Sequence, residues 1–321
     1  MGARTIRRRL PGVCFVLGLV GCAPGTVLTV VEDPDREQVK VDVRLAGHEA
    51  FRVEHSRRFA IPHLFPLLSP TGRPLLVQQT DPYPHHRSLW IADRIQLEDG
   101  PVTDFYHEHT NLKDPGRPEL GYHSLIRHES FSEFDVDEQR AGFTARLTWI
   151  IGGQGPALDD TREFRVRDLG HGEYLIDLSW RLTANYGKVT FKSDWVHYAW
   201  PYLRMDPSFS GESGGRIEDD RGRTGQNATN GETARWIDYS NRVEGVTEGV
   251  AVFLPRDGYD RKWLTREYGT FGPRRKDALS GTGFSLAVGE SLAGRVGILV
   301  HSGDAKTGRV AERYAEYVGA R

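Results

Sequence analysis

Segments in which apolar and polar residues alternate run through most of this chain, and they limit its fold more than any other feature. Val39-Lys-Val-Asp-Val-Arg-Leu, Phe143-Thr-Ala-Arg-Leu-Thr-Trp-Ile-Ile, Tyr174-Leu-Ile-Asp-Leu-Ser-Trp-Arg-Leu, Gly249-Val-Ala-Val-Phe-Leu and Gly294-Arg-Val-Gly-Ile-Leu-Val-His carry the two-residue period of strands with one buried face. Gly, Pro, Asp and Asn turns separate them. Only the stretch Gly308 to Gly319 has a helical period, with Val310, Tyr314, Tyr317 and Val318 on one face. No βαβ unit or phosphate-cradling glycine loop is present. The reading is an all-β fold, a large antiparallel β-supersandwich with a short C-terminal helix.

The N-terminus has a different character. Four arginines (Arg4, Arg7, Arg8, Arg9) precede an apolar run from Val13 to Gly21 that is too short to span a bilayer, the pattern of an export signal. Leu19-Val20-Gly21-Cys22 matches a lipobox, with Cys22 as the acylated first residue of the mature chain; a simple secreted form or an uncleaved anchor is the alternative. Two lipid chains on one thiol suffice for stable anchoring. The expected organisation is a lipoprotein signal over residues 1–21, a tether over 22–36 and one domain over 37–321. The protein is then exported and lipid-anchored, on the outer membrane facing the periplasm in a Gram-negative host.

Charge and cysteine content follow from that division. The 321 residues carry 42 Lys and Arg against 44 Asp and Glu, net −2. Without residues 1–21 the balance is 38 against 44. Nothing in it attracts nucleic acid, so an anionic ligand would need local arginines. Cys14 leaves with the signal and Cys22 is acylated, which excludes a thiol nucleophile or thiolate metal site in the domain.

Seven of the twelve histidines fall between His63 and His128. The densest run is Asp81-Pro-Tyr-Pro-His85-His86-Arg87-Ser-Leu-Trp90-Ile-Ala-Asp93. Adjacent histidines on extended backbone point to opposite faces, so one of His85 and His86 faces a cleft and the other supports it. Arg87 offers a fork of donors, Trp90 a flat apolar face, and Asp93 closes the run. In Asp104-Phe-Tyr-His107-Glu108-His109, Asp104 is a candidate base. His107 and His109 share a face if extended, so a divalent metal on them and a third histidine is an alternative to the metal-free reading. His197 and Tyr198, in an aromatic-rich stretch, and Arg235 with Trp236 are substrate-binding candidates. His301 ends the last strand as a candidate acid or base. For each of these motifs an ordinary core strand or solvated turn is the competing reading.

The order Pro84-His85-His86-Arg87-Ser88-Leu89-Trp90, Asp104-Phe105, Ala234-Arg235-Trp236, Tyr268-Gly-Thr-Phe and Val300-His301-Ser-Gly-Asp304 resembles the bacterial PmoA-like family, often labelled "methane oxygenase PmoA", over roughly residues 45–318. That resemblance implies a galactose-mutarotase-like β-supersandwich found in carbohydrate-active proteins. The oxygenase label does not suit the chain, because no apolar run of membrane-spanning length follows Cys22. Ser88 replaces a usual Gly, and His197-Tyr198-Ala199-Trp200 stands where an acidic residue is usual. The resulting expectation is a carbohydrate lyase, hydrolase or epimerase working by histidine proton transfer on a sugar or keto-glycoside. In it one of His85 and His86, together with His301, moves protons, Arg87 and Arg235 hold oxygens or stabilise an enolate, and Trp90 and Trp236 stack on the ring. A non-catalytic glycan-binding lipoprotein and a metal-dependent enzyme are the alternatives. No organic cofactor is expected.

Overall fold

The computed structural model describes residues 16–20, 25–33, 38–56, 58–192, 199–258, 261–275 and 284–319. In chain order the strands are β1 (Val16–Val20), β2 (Val27–Asp33), β3 (Gln38–Leu45), β4 (His48–Ser56), β5 (His63–Leu67), β6 (Leu89–Trp90), β7 (Arg94–Leu97), β8 (Val102–Asp104), β9 (Leu125–Val136), β10 (Arg140–Ile151) and β11 (Gly155–Gly170). They continue with β12 (Glu173–Thr183), β13 (Val189–Phe191), β14 (Tyr202–Arg204), β15 (Arg216–Asp219), β16 (Trp236–Val243), β17 (Val246–Phe253), β18 (Trp263–Thr265), β19 (Thr270–Pro273), β20 (Phe284–Leu286) and β21 (Ser291–Ser302). Two helices complete the set, the single turn α1 (Gln226–Thr229) and the C-terminal α2 (Val310–Gly319).

The strands pair antiparallel in three sheets. Nine run in the order β1-β2-β3-β4-β5-β6-β14-β19-β18, eight in the order β15-β16-β17-β21-β12-β11-β10-β9, and four in the order β20-β13-β7-β8. Ala46-Gly47, His171-Gly172 and Glu244-Gly245 join β3 to β4, β11 to β12 and β16 to β17 as two-residue turns. Both residues of each turn have positive φ, the geometry that matches strand twist in tight hairpins and that glycine adopts without strain.

One core lies between the nine- and eight-stranded sheets. Val41, Phe51 and Leu64 meet Phe143, Phe164, Ile176, Val250 and Ile298 there. The Tyr174 hydroxyl donates to the Leu68 carbonyl at 2.7 Å and ties the layers together. A second cluster fills the other face of the eight-stranded sheet, where Val310, Tyr314 and Tyr317 of α2 cover Trp236, Phe253 and Leu299.

The all-β supersandwich with a short C-terminal helix is the observed architecture. The expected tether is not one throughout: Val27–Asp33 is strand β2, paired along β3, and Leu28 is buried in the core. Its alternation, Val27-Leu-Thr-Val-Val, supplies a core-facing row like any other strand. Val16–Val20, from the apolar part of the expected leader, adds β1 to the sheet edge. Cys22 lies outside the described residues, as do His197 and Tyr198. No helix among the described residues is long and apolar enough to cross a membrane.

Candidate functional site

Strand β6 is only two residues long, but it is held between β5 and β14 and fixes the segment that precedes it. His86 is buried, and its Nε2 shares a hydrogen bond of 2.8 Å with the Tyr106 hydroxyl. Burial, followed by His85 and Arg204 nearby, holds its pKa far below the ordinary histidine value. His85 is half-buried and its ring stands 4.6 Å from that of His86, close to perpendicular.

On the other side, β8 ends at Asp104 and the chain turns into a 3-10 turn over Glu108–Asn111. Asp104 therefore accepts from the backbone N–H of His107 at 3.0 Å and from its Nδ1–H at 2.9 Å. Burial works against the Asp104 charge, yet these His107 bonds, with Arg94, hold its pKa below the usual carboxylate range. The His107 ring is 4.5 Å from His85, and His109 is 6.2 Å from it. Burial, then His107 and His109, lower the pKa of His85 to about 4, so it is neutral at pH 7. Asp104, His107 and His85 thus form a half-exposed cluster of titratable side chains.

Aromatic faces adjoin it. Tyr83 stacks on His86 at 4.7 Å and on Tyr268 at 4.8 Å, and neither tyrosine is fully buried. The Arg204 guanidinium lies over the Tyr268 ring at 4.7 Å and donates to the Tyr268 carbonyl. The sequence assigns Tyr83 and Tyr268 no ligand-binding role, and Arg204 enters it only as the end of the aromatic-rich stretch that contains His197 and Tyr198. A tyrosine between the two prolines before His85 was visible there, but nothing marked Tyr268 or Arg204 as its neighbours.

Several expected site residues have other roles. Arg87 is 0% exposed, pairs with buried Glu108 and lies over Phe59 at 4.4 Å, so its guanidinium is enclosed in the protein rather than presented to a ligand. Burial lowers its pKa to about 10. Trp90 is also 0% exposed and stacks on Tyr202 at 4.8 Å, leaving no ring face for a ligand. Asp93 is buried, with Arg275 at 3.4 Å. Trp236 packs under α2, and Arg235 projects from the surface toward Asp220 at 3.6 Å.

His301 is buried with Asp238, Nε2 to Oδ1 at 2.7 Å, and the Ser240 hydroxyl donates to the other Asp238 oxygen at 2.9 Å. Strand parity sets His301 with Leu299 on the α2 side of its sheet, away from the central core that Val300 enters. It does not join His85. The 3-10 turn also removes the extended His107-x-His109 geometry on which the metal reading rested. Among the described residues no three His, Cys, Asp or Glu side chains are placed to hold a metal ion.

A family model described as a family of unknown function, DUF6807, matches residues 40–315. The chain belongs to this family. The resemblance to the PmoA-like family is corrected by that match, and nothing shows PmoA-like membership. Much of the block that carried it, His86, Arg87 and Trp90, is core packing in this DUF6807 member. No curated protein matches the sequence. Among solved structures, the α-galactosidase from Lactobacillus brevis is similar over 91% of this chain and 40% of its own, at 9% identity and a TM-score of 0.41. The α-galactosidase AgaA from Geobacillus stearothermophilus is similar over 70% of this chain and 31% of its own, at 11% identity and 0.34. Galactose 1-epimerase from Lactobacillus acidophilus NCFM is similar over 87% and 95%, at 9% identity and 0.36. This DUF6807 chain therefore spans well under half the length of either α-galactosidase.

Proposed function

We propose that the cluster of His85, Asp104 and His107, flanked by Tyr83 and Tyr268, is a proton-transfer site acting on a saccharide or keto-glycoside. The observation that carries this reading is the Asp104–His107 hydrogen bond of 2.9 Å beside the neutral His85 ring. Asp104 fixes the tautomer in which His107 Nδ1 donates, and so leaves Nε2 to accept a substrate proton. The proton taken up at His107 Nε2 is the one returned to substrate, and the neutral His85 ring beside it is a hydrogen-bond partner on the same side. A ketone acidifies the neighbouring C–H, which brings its removal within reach of an imidazole base. Tyr83 and Tyr268 offer π-faces to the C–H face of a sugar ring.

The test is turnover on a panel of glycosides, 3-keto-glycosides and free aldoses. His107→Asn is expected to lower kcat by about 10²–10⁴-fold, the range of general acid–base assistance, and His85→Asn to lower it as well. Asp104→Asn should lower kcat and displace the pH profile while KM changes little. Unchanged turnover in all three variants sinks the assignment. The stacked pair Tyr83–Tyr268 favours one second reading, glycan binding without turnover, which predicts that binding survives His107→Asn and falls in Tyr268→Ala. Export and acylation at Cys22 are part of the same proposal and rest on the N-terminal sequence.

A further inference from the structure

A sizeable groove lies away from this cluster. It is a half-open groove of about 480 Å³ on the outer face of the eight-stranded sheet, within the size range of ligand pockets, about 300–1,000 Å³. Strand register explains its shape. Asp135, Gly142, Arg165, Asp177 and Gly297 stand in one row across β9, β10, β11, β12 and β21. Gly142 contributes no side chain to the middle of this row, and a trough opens there between Asp135 and Arg165. Tyr317 of α2 closes one end, with the Arg295 guanidinium over its ring at 5.2 Å.

The lining holds four arginines and four carboxylates, so the groove has no net formal charge. Arg295 and Asp177 are clamped together, Nε to Oδ1 at 2.6 Å. Arg140 and Asp135 make no ion pair among the described residues, leaving one donor fork and one acceptor open to the trough. A balanced set of donors and acceptors suits groups that donate and accept at once, which is the property of hydroxyls. A polyanion would meet Glu133, Asp135, Glu163 and Asp177, and a polycation the arginines.

We infer that this groove is a second ligand site, and that its ligand is a neutral oligosaccharide. The inference is independent of the chemistry proposed for His107. A chain held in the groove binds through hydroxyl contacts to the Arg140, Asp135 and Arg295–Asp177 groups, with Gly142 as the floor.

Gly142 makes the test clean. An added Cβ would meet its nearest atom, the Phe164 carbonyl oxygen, at 3.6 Å, an ordinary contact, so the rest of a larger side chain must project into the trough. Cellotetraose, maltotetraose and xylotetraose are titrated by calorimetry and saturation-transfer NMR into the full chain, with a heparin tetrasaccharide as the charged probe. At least one neutral tetrasaccharide should bind, Gly142→Phe should weaken it by about tenfold or more, and Gly142→Ala should not. Arg140→Gln/Asp135→Asn should weaken it without filling the trough, which covers misfolding of the phenylalanine variant. Turnover at the His107 cluster should survive Gly142→Phe, and groove binding should survive Asp104→Asn, so the two readings fail separately. Absence of binding by all three neutral probes, binding untouched by Gly142→Phe in the folded protein, or preference for heparin overturns the inference.

Discussion

The Nδ1 atoms of His55 on β4 and His128 on β9 lie 2.7 Å apart. One ring donates and the other accepts, and a second proton would leave two donors facing each other. Burial, then His128, Arg162 and His63, holds His55 well below the ordinary value, and burial lowers His128 to about 4 against the pull of Glu129. The unfolded chain takes up protons near pH 6.5 while the folded one does not. Stability is therefore insensitive to this pair above about pH 6.5. It falls as pH drops from there toward 4, by up to about 1.4 kcal/mol per pH unit for each histidine. Urea midpoints measured across that range should show the loss, and His128→Gln should flatten it. An equal slope in the variant refutes the assignment.

His301 works in the opposite direction. Burial disfavours its charge, but Asp238 outweighs burial and raises its pKa above the ordinary value. Its stabilising contribution is complete below about pH 6.5 and is lost as pH climbs through the raised value. Asp238→Asn should abolish that alkaline loss and destabilise the protein by about 1–3 kcal/mol at neutral pH, measured by denaturant titration.

Arg87 and Glu108 are buried together, at 0% and 3% exposure. Removing one charge strands the other, so Arg87→Met should cost about 3–5 kcal/mol of stability. Arg87→Met/Glu108→Leu should recover part of that loss. The folded fraction of the double variant should keep its turnover, which separates a packing role from a catalytic one.

Metabolic labelling with an alkyne fatty acid in the native host should tag the chain, and Cys22→Ser should abolish the label. A labelled Cys22→Ser protein removes the lipid anchor from the proposal.

The strands were legible because long runs such as β10, β11, β12 and β21 repeat the two-residue period often enough to fix both element and inner face. The loops and short strands were not. Strand β6 has two residues, too few for alternation to carry a phase, so Trp90 could not be assigned to core or surface from sequence. The partner of Arg87 is Glu108, twenty-one positions on, and no local pattern links them. Asp104 and His107 meet because the chain turns immediately after β8, whereas an extended reading set His107 beside His109 instead. Adjacent side chains pointing apart did not describe His85 and His86: His85 sits in a turn rather than on extended backbone, and the two rings stand 4.6 Å apart, one half-buried and the other buried.

Helix α2 covers only part of the sheet face it packs on, and the groove lies on the part it leaves open. It is also the last element described, held chiefly by Val310, Tyr314 and Tyr317. Cleavage by a protease before Val310 would strip the cover from Trp236, Phe253 and Leu299. The trimmed protein would then carry a sticky apolar face, so self-association and precipitation, rather than simple loss of ligand, are the expected fate of a chain shortened by its final helix.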